Sequence, residues 1–154
     1  MAHIHEKIDF TTSVFIVRNG KVLLHKHKKL GIWLQPGGHI ELDEDPNQAA
    51  LREAKEKTGF DVELIGNKKL LAVPSDDSQD LITPMFINRH HVSDTHEHVD
   101  LVYFGTAVRG ELKFEEGDDV RWFGRDEIQK NTLGLKESVR FYALAAIDCL
   151  VVRT

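Results

Sequence analysis

The stretch Gly38 to Phe60, GHIELDEDPNQAALREAKEKTGF, constrains this chain more than any other part of it. Asp45 is a good helix N-cap, Pro46 suits the first helical position, and Gln48 completes a capping box with Asp45. The stretch therefore predicts a helix from about Pro46 to Thr58, stopped by Gly59. At roughly 100° per residue, Ala49, Glu53, Glu56 and Lys57 share one face of that helix. Carboxylates one turn apart repel unless a cation lies between them. Oxygen ligands of this kind suit Mg²⁺ or Mn²⁺ rather than zinc. The blander reading of the same residues is a solvated charged face, with Glu53 and Lys57 as an ordinary ion pair.

Spacing and flanks favour the sharper reading. Gly38, Glu44, Arg52-Glu53, Glu56 and Gly59-Phe60 stand at fixed intervals, and Trp33-Leu34-Gln35-Pro36-Gly37-Gly38 leads into them. The pattern resembles the Nudix box, signature of the Nudix (MutT-type) pyrophosphohydrolases, written G-x5-E-x7-R-E-U-x-E-E-x-G-U with U apolar. Ala54 and Phe60 fill the apolar positions. One fixed position departs: Lys57 replaces the second Glu of the closing pair.

The resemblance implies an α/β fold, the Nudix α/β/α sandwich with a mixed central sheet, formed by residues 1–154 as a single domain. It implies hydrolysis of a nucleoside diphosphate linked to another moiety, with Mg²⁺ or Mn²⁺ as cofactor. Glu53 and Glu56 become metal ligands, Glu53 being ligand, base or both, and Gly37 the residue offering its backbone carbonyl. Glu44 and Arg52 match the pair that braces the loop against the helix. Glu116, in a loop before Trp122 and followed by Gly, matches the additional metal-binding Glu of MutT-like enzymes, with Glu115 and Asp119 as nearby alternatives. Glu53, Glu56 and Glu116 are thus the expected catalytic residues.

Lys57 complicates that set. An ammonium within about 4 Å of a divalent site opposes the metal by roughly 1 to 4 kcal/mol per unit charge. Lys57 could swing outward and leave a weaker site, replace one metal's charge and bind phosphate, or have ended catalysis. The last outcome leaves a non-catalytic Nudix-fold nucleotide-binding or regulatory protein as the rival reading.

Around the box the chain reads as strands followed by a helix. Phe10–Val17 and Val22–Leu24 are strands joined by Asn19-Gly20, a strong hairpin signal. The basic run His25 to Lys29 enters a loop, and Lys26 and Lys28, with His39 after the glycine pair, are candidates to meet substrate phosphate. The glycines Gly37 and Gly38 let the backbone turn and approach a ligand. Phe60 to Leu64 alternates as a half-buried strand, with Lys68 to Val73 extending it past a bulge at Gly66. Residues 74–80 are a polar loop. Leu81–Asn88 reads as a strand that Pro84 confines to an edge or bulge. Glu97–Val108 reads as a central strand covered on both sides. Gly110–Phe114 and Val120–Phe123 read as short strands and Asp126–Gln129 as a short helix. The final helix, Lys136–Val152, is apolar almost all round and suits a core or a homodimer interface.

The formal net charge of −5 argues against extended nucleic-acid binding. It leaves room for a small-molecule nucleotide substrate, because a divalent cation masks phosphate charge. No apolar run reaches the length of a membrane span, the N-terminal residues lack a signal core, and Cys149 is the lone cysteine. A cytoplasmic setting fits these features. His90, His91, His96 and His98 form a further group. His96 and His98 share a strand face, which makes zinc conceivable. Their spacing matches no standard zinc module, so cleft or surface positions are the expectation.

Overall fold

The computed structural model describes residues 4–66, 77–113 and 118–151. The expected strand at 68–73, the first three residues of the polar loop after it (74–76), and Glu115 and Glu116 lie outside these residues. In chain order the elements are β1 (Ile8–Arg18), β2 (Lys21–Lys26), β3 (Trp33–Leu34), β4 (Gly37–His39), α1 (Pro46–Thr58), β5 (Phe60–Ile65), β6 (Phe86–Ser93), β7 (His96–Gly110), β8 (Val120–Gly124), α2 (Arg125–Lys130) and α3 (Glu137–Val151).

A single mixed sheet runs β3-β2-β1-β7-β5, with β4 on β1, β6 on β7 and β8 on β2. β1 and β7 pair in parallel from Ile8↔Glu97 to Val17↔Thr106, and the other pairings are antiparallel. β1 is buried on both faces, and the side-chain period of two assigns each residue to a layer. Val14 and Ile16 pack with Tyr103 against Ala50 and Ala54 of α1. Phe15 and Val17 pack with Phe104 against Val139, Ala143 and Ile147 of α3. The molecule is therefore an α/β/α sandwich, and α3 is a core helix. Each large apolar side chain buried in these layers contributes about 1.5 to 3 kcal/mol. Among the described residues no helix is long and apolar enough to cross a membrane.

Local signals hold at both turns of the box helix. Asp45 accepts from the Gln48 amide and Gln48 returns the bond, closing the capping box, while Gly59 ends α1 at φ 82°. The Asn19-Gly20 turn joins β1 to β2 with both residues at positive φ.

Three expectations need correction. The glycine pair does not turn the chain: Gly37–His39 is a strand on β1. Its glycines serve close approach instead, since a Cβ on Gly37 would lie 2.3 Å from the Thr12 carbonyl oxygen. β6 begins at Phe86, after Pro84, which cannot donate to a ladder. The backbone of Ile82 is held instead by Asn47, through bonds of 2.8 and 3.0 Å. Residues 111–113 are not a strand. Gly110, at φ 97°, ends β7, and the Lys113 amide bonds to the Thr58 carbonyl at 2.9 Å.

Candidate active site

Arg52 binds the loop before α1 to the helix itself. Its Nε and Nη2 donate to Glu44 Oε2 and Oε1 at 2.9 and 2.5 Å, a fork-to-fork geometry. Nη2 also donates to the His39 carbonyl at 3.1 Å. On the helix side, Nη1 reaches Glu53 Oε1 at 2.9 Å and Glu56 Oε2 at 3.2 Å. The bond from Arg52 holds the Glu44 carboxyl below the usual carboxylate range. The same bond makes the guanidinium still harder to deprotonate.

Glu53 is buried, with its side chain 2% exposed, whereas Glu56 on the next turn is 60% exposed. Gly38 makes room for the buried carboxylate: a Cβ there would lie 2.2 Å from Glu53 Oε1. Lys57 turns toward the same place. Its Nζ donates to the Gly37 carbonyl and lies 3.7 Å from Glu53 Oε2. An ammonium thus bridges a backbone carbonyl and a buried carboxylate. These are two of the oxygen donors that the box resemblance assigns to a metal, so the donor set accepts a cation.

Beyond Glu56 and Lys57 opens a cleft of about 670 Å³, with Lys26, Lys28, Lys29 and Lys113 on its walls. A cavity of this size holds a small-molecule ligand. Lys28 pairs with Asp118 at 3.0 Å. His25 stands between this cleft and a smaller one of about 250 Å³. Burial, and then the Lys57 charge, push its pKa down. The candidate Glu116 lies outside the described residues. His39 is buried, with Nε2 at 3.4 Å from Asp9 Oδ2.

At and behind the smaller cleft, Asp9, Thr11, Ser13 and Asp100, which the sequence did not single out, join the histidines that it did. Asp9, Thr11 and Ser13 alternate along β1, and His96, His98 and Asp100 alternate along β7. The parallel register sets Asp9 opposite His98 and Thr11 opposite Asp100. Asp100 accepts from Thr11 Oγ1 at 2.9 Å and Ser13 Oγ at 2.6 Å, and Gln35 bonds Ser13 at 2.8 Å. Burial raises the Asp100 pKa, against the pull of those hydroxyls. His98 is pushed down to about 4 by burial and by the neighbouring His39, His90 and His96. The signal in the sequence was the polar residue at every second position in two apolar strands. It becomes a single polar stripe only once β1 and β7 are known to pair.

Comparison with known proteins agrees with this geometry. The family model described as NUDIX domain matches residues 8–144. The chain is 33% identical over 109 residues to an ADP-ribose pyrophosphatase of Methanocaldococcus jannaschii, covering 69% of this chain and 54% of that protein. It is 29% identical over 113 residues to a probable DHNTP pyrophosphohydrolase of Lactococcus lactis, covering 73% of this chain and 63% of that protein. The chain therefore spans less than two thirds of either relative. A crystal structure of a NUDIX-family hydrolase from Clostridium perfringens superposes with a TM-score of 0.77 at 36% identity, over 92% of this chain and 97% of the other. The fold, the box and the family match converge: this chain belongs to the NUDIX domain family.

Proposed function

We propose that this protein is a divalent-metal-dependent pyrophosphohydrolase of a nucleoside diphosphate linked to another moiety, with water attacking a pyrophosphate phosphorus. The observation that carries the reading is the buried Glu53 carboxylate beside the Gly37 carbonyl, with a cation already bridging them, at the edge of a lysine-walled cleft. The Gly37 carbonyl, Glu53, Glu56 and Glu116 are the residues that would hold Mg²⁺ or Mn²⁺. When bound, such an ion neutralises phosphate oxygens and lowers the pKa of a coordinated water. Glu53, shielded from solvent, is suited to accept the proton of the attacking water. Arg52 orients Glu53 and Glu56, and Glu44 orients Arg52. Lys26 and Lys28 draw the polyphosphate into the cleft. The lone cysteine suits a cytoplasmic nucleotide pool.

The names of the relatives choose the first substrates. Release of the nucleoside (or pterin) monophosphate from ADP-ribose, DHNTP, nucleoside triphosphates and nucleotide sugars, with ribose 5-phosphate, pyrophosphate or sugar 1-phosphate as the other product, measured with Mg²⁺ and with Mn²⁺, tests the reading. Turnover that Glu53→Gln abolishes supports it. Absence of turnover across the panel, with nucleotide binding retained, supports a second reading. In that reading Lys57 has permanently taken the cation position and the protein binds nucleotide without cleaving it. The observation behind it is the ammonium itself, seated between Gly37 and Glu53.

A further inference from the structure

The box does not account for the buried acid and imidazoles on the other side of Gly37. We propose that Asp9, His39 and His98 form a second metal site, separate from the box carboxylates, for one late first-row divalent ion of the zinc type.

The three donors come from three adjacent strands of the sheet, β4, β1 and β7. Asp9 faces His98 across the parallel pairing, and His39 pairs with Thr11, two residues along β1 from Asp9. The period of two puts Asp9 and Thr11 on the same face of β1. One ligand atom from each of Asp9, His39 and His98 lies within 4.8 Å of the other two. Zn²⁺ bonds of about 2.0 to 2.2 Å in a tetrahedral site set neighbouring ligand atoms roughly 3.4 Å apart. Closing the site therefore takes side-chain rotation and no movement of the sheet.

Burial favours positive charge beside Asp9. Asp9 is 1% exposed and His39 9% exposed. A carboxylate removed from water to that degree is stabilised by positive charge, which an ion would add to the imidazoles already facing it, His39 at 3.4 Å and His96 at 3.1 Å. The surroundings of Asp9 also resemble the outer wiring of a metal site. The His5 amide donates to Oδ1 at 2.7 Å, and His96 Nε2 lies 3.1 Å from Oδ2. His96 is itself oriented by the Glu6 carbonyl, 3.0 Å from its Nδ1. His96 is thus a positioning residue for Asp9. The His39 and His98 rings approach to 5.0 Å between centroids at an interplanar angle of 80°, so the two imidazoles share one locus without stacking.

The donor set selects the ion. Two imidazoles and one carboxylate suit Zn²⁺, Co²⁺ or Fe²⁺, whereas the all-oxygen box suits Mg²⁺ or Mn²⁺. The site borders the cleft that Gly37, Gly38 and Lys57 also line. An ion here would fasten β4, which carries the Gly37 carbonyl, to β1 and β7.

This proposal does not rest on the hydrolase reading, and its test reads metal directly. The full chain is stripped with chelator and titrated with Zn²⁺ by calorimetry and with Co²⁺ by its visible absorption. The same is done for Asp9→Asn, His98→Gln, His96→Gln and Glu56→Gln. The expected result is one equivalent of tightly bound Zn²⁺ that also raises the Tm of the natural protein. Asp9→Asn and His98→Gln should each weaken binding by more than the 10- to 100-fold typical of losing an outer partner, and His96→Gln by about that range. Glu56→Gln should leave it unchanged. His39→Gln replaces either ligand variant that fails to fold by circular dichroism. Absence of stoichiometric binding overturns the proposal. So does binding that survives both ligand variants, which would belong to surface histidines. Loss of binding in Glu56→Gln would assign the ion to the box and overturn it equally.

Discussion

Replacing Lys57 by Glu tests the cation position in the box most directly. Lys57 Nζ lies 3.7 Å from Glu53 Oε2 and bonds the Gly37 carbonyl, so a divalent ion sharing those donors has to displace it. Unit charges about 4 Å apart interact by about 1 kcal/mol in water and about 4 kcal/mol near a protein surface. The Lys57 side chain is 41% exposed, which favours the lower figure. Lys57→Glu shifts the local charge by two units beside a doubly charged ion, about 4 kcal/mol on that scale, or on the order of 1,000-fold in affinity. Mn²⁺ affinity, read by calorimetry or electron paramagnetic resonance, should rise by about that factor. Without metal the new carboxylate faces Glu53, so the variant should melt below the natural protein and recover when Mn²⁺ is added. Activity on the best substrate then separates the roles of Lys57. A rise in kcat/KM means the ammonium competes with metal. A fall despite tighter metal binding means it holds phosphate. Continued silence with tighter metal binding supports the nucleotide-binding reading. Unchanged Mn²⁺ affinity would refute the placement of residue 57 in the metal site.

The same geometry sets three further outcomes. Glu44→Gln breaks the fork with Arg52 and should cost about 2 kcal/mol in urea unfolding at neutral pH. Because Arg52 lowers the Glu44 pKa in the folded state, that contribution is present above the unfolded value of 4.5 and is lost as pH falls through the folded one. The gap between natural protein and variant should therefore close on acidification, and a gap independent of pH would refute the assignment. Gly38→Ala drives a methyl group against the Glu53 carboxylate, so kcat should fall sharply for an overpacking cost of about 1 to 3 kcal/mol in stability; an active variant would detach Glu53 from the chemistry. Lys26→Ala and Lys28→Ala should raise KM more than they lower kcat, and unchanged kinetics would return both to ordinary surface.

The fold was legible where local chemistry and burial pattern agree. Asp45, Pro46, Gln48 and Gly59 delimit α1 by capping alone, and Asn19-Gly20 sets the first hairpin through its positive φ angles. β7 was legible because a strand buried on both faces writes a nearly continuous apolar run. Elements whose limits depend on distant partners were not legible. The segment before Phe86 is apolar enough for a strand, yet Asn47 of α1 takes the backbone bonds of Ile82, and the segment reaches β7 at Met85, through Val102. Residues 111–113 leave the sheet because Gly110 turns and Thr58 captures Lys113.

The candidate site divides along the same line. Box residues lie within one helix and the loop before it, so fixed spacing alone groups Glu44, Arg52, Glu53, Glu56 and Lys57. Asp9 and His98 are far apart in sequence, and only the parallel register of β1 on β7 makes them neighbours. The histidine group consequently looked like a run of exposed or cleft residues, because its organising carboxylate sits on another strand. The structure also gives Lys57 a sense that the motif could not. At the level of the pattern it is a lost ligand, but in space its ammonium occupies a cation position between Gly37 and Glu53. A tethered ammonium holds the two donors together at the metal-free stage, where the glutamate of the family pattern would push the Glu53 carboxylate away. Under the proposed metal-dependent reading, the departure from the box exchanges metal affinity for a preformed site, and the Mn²⁺-dependent recovery expected of Lys57→Glu measures that exchange.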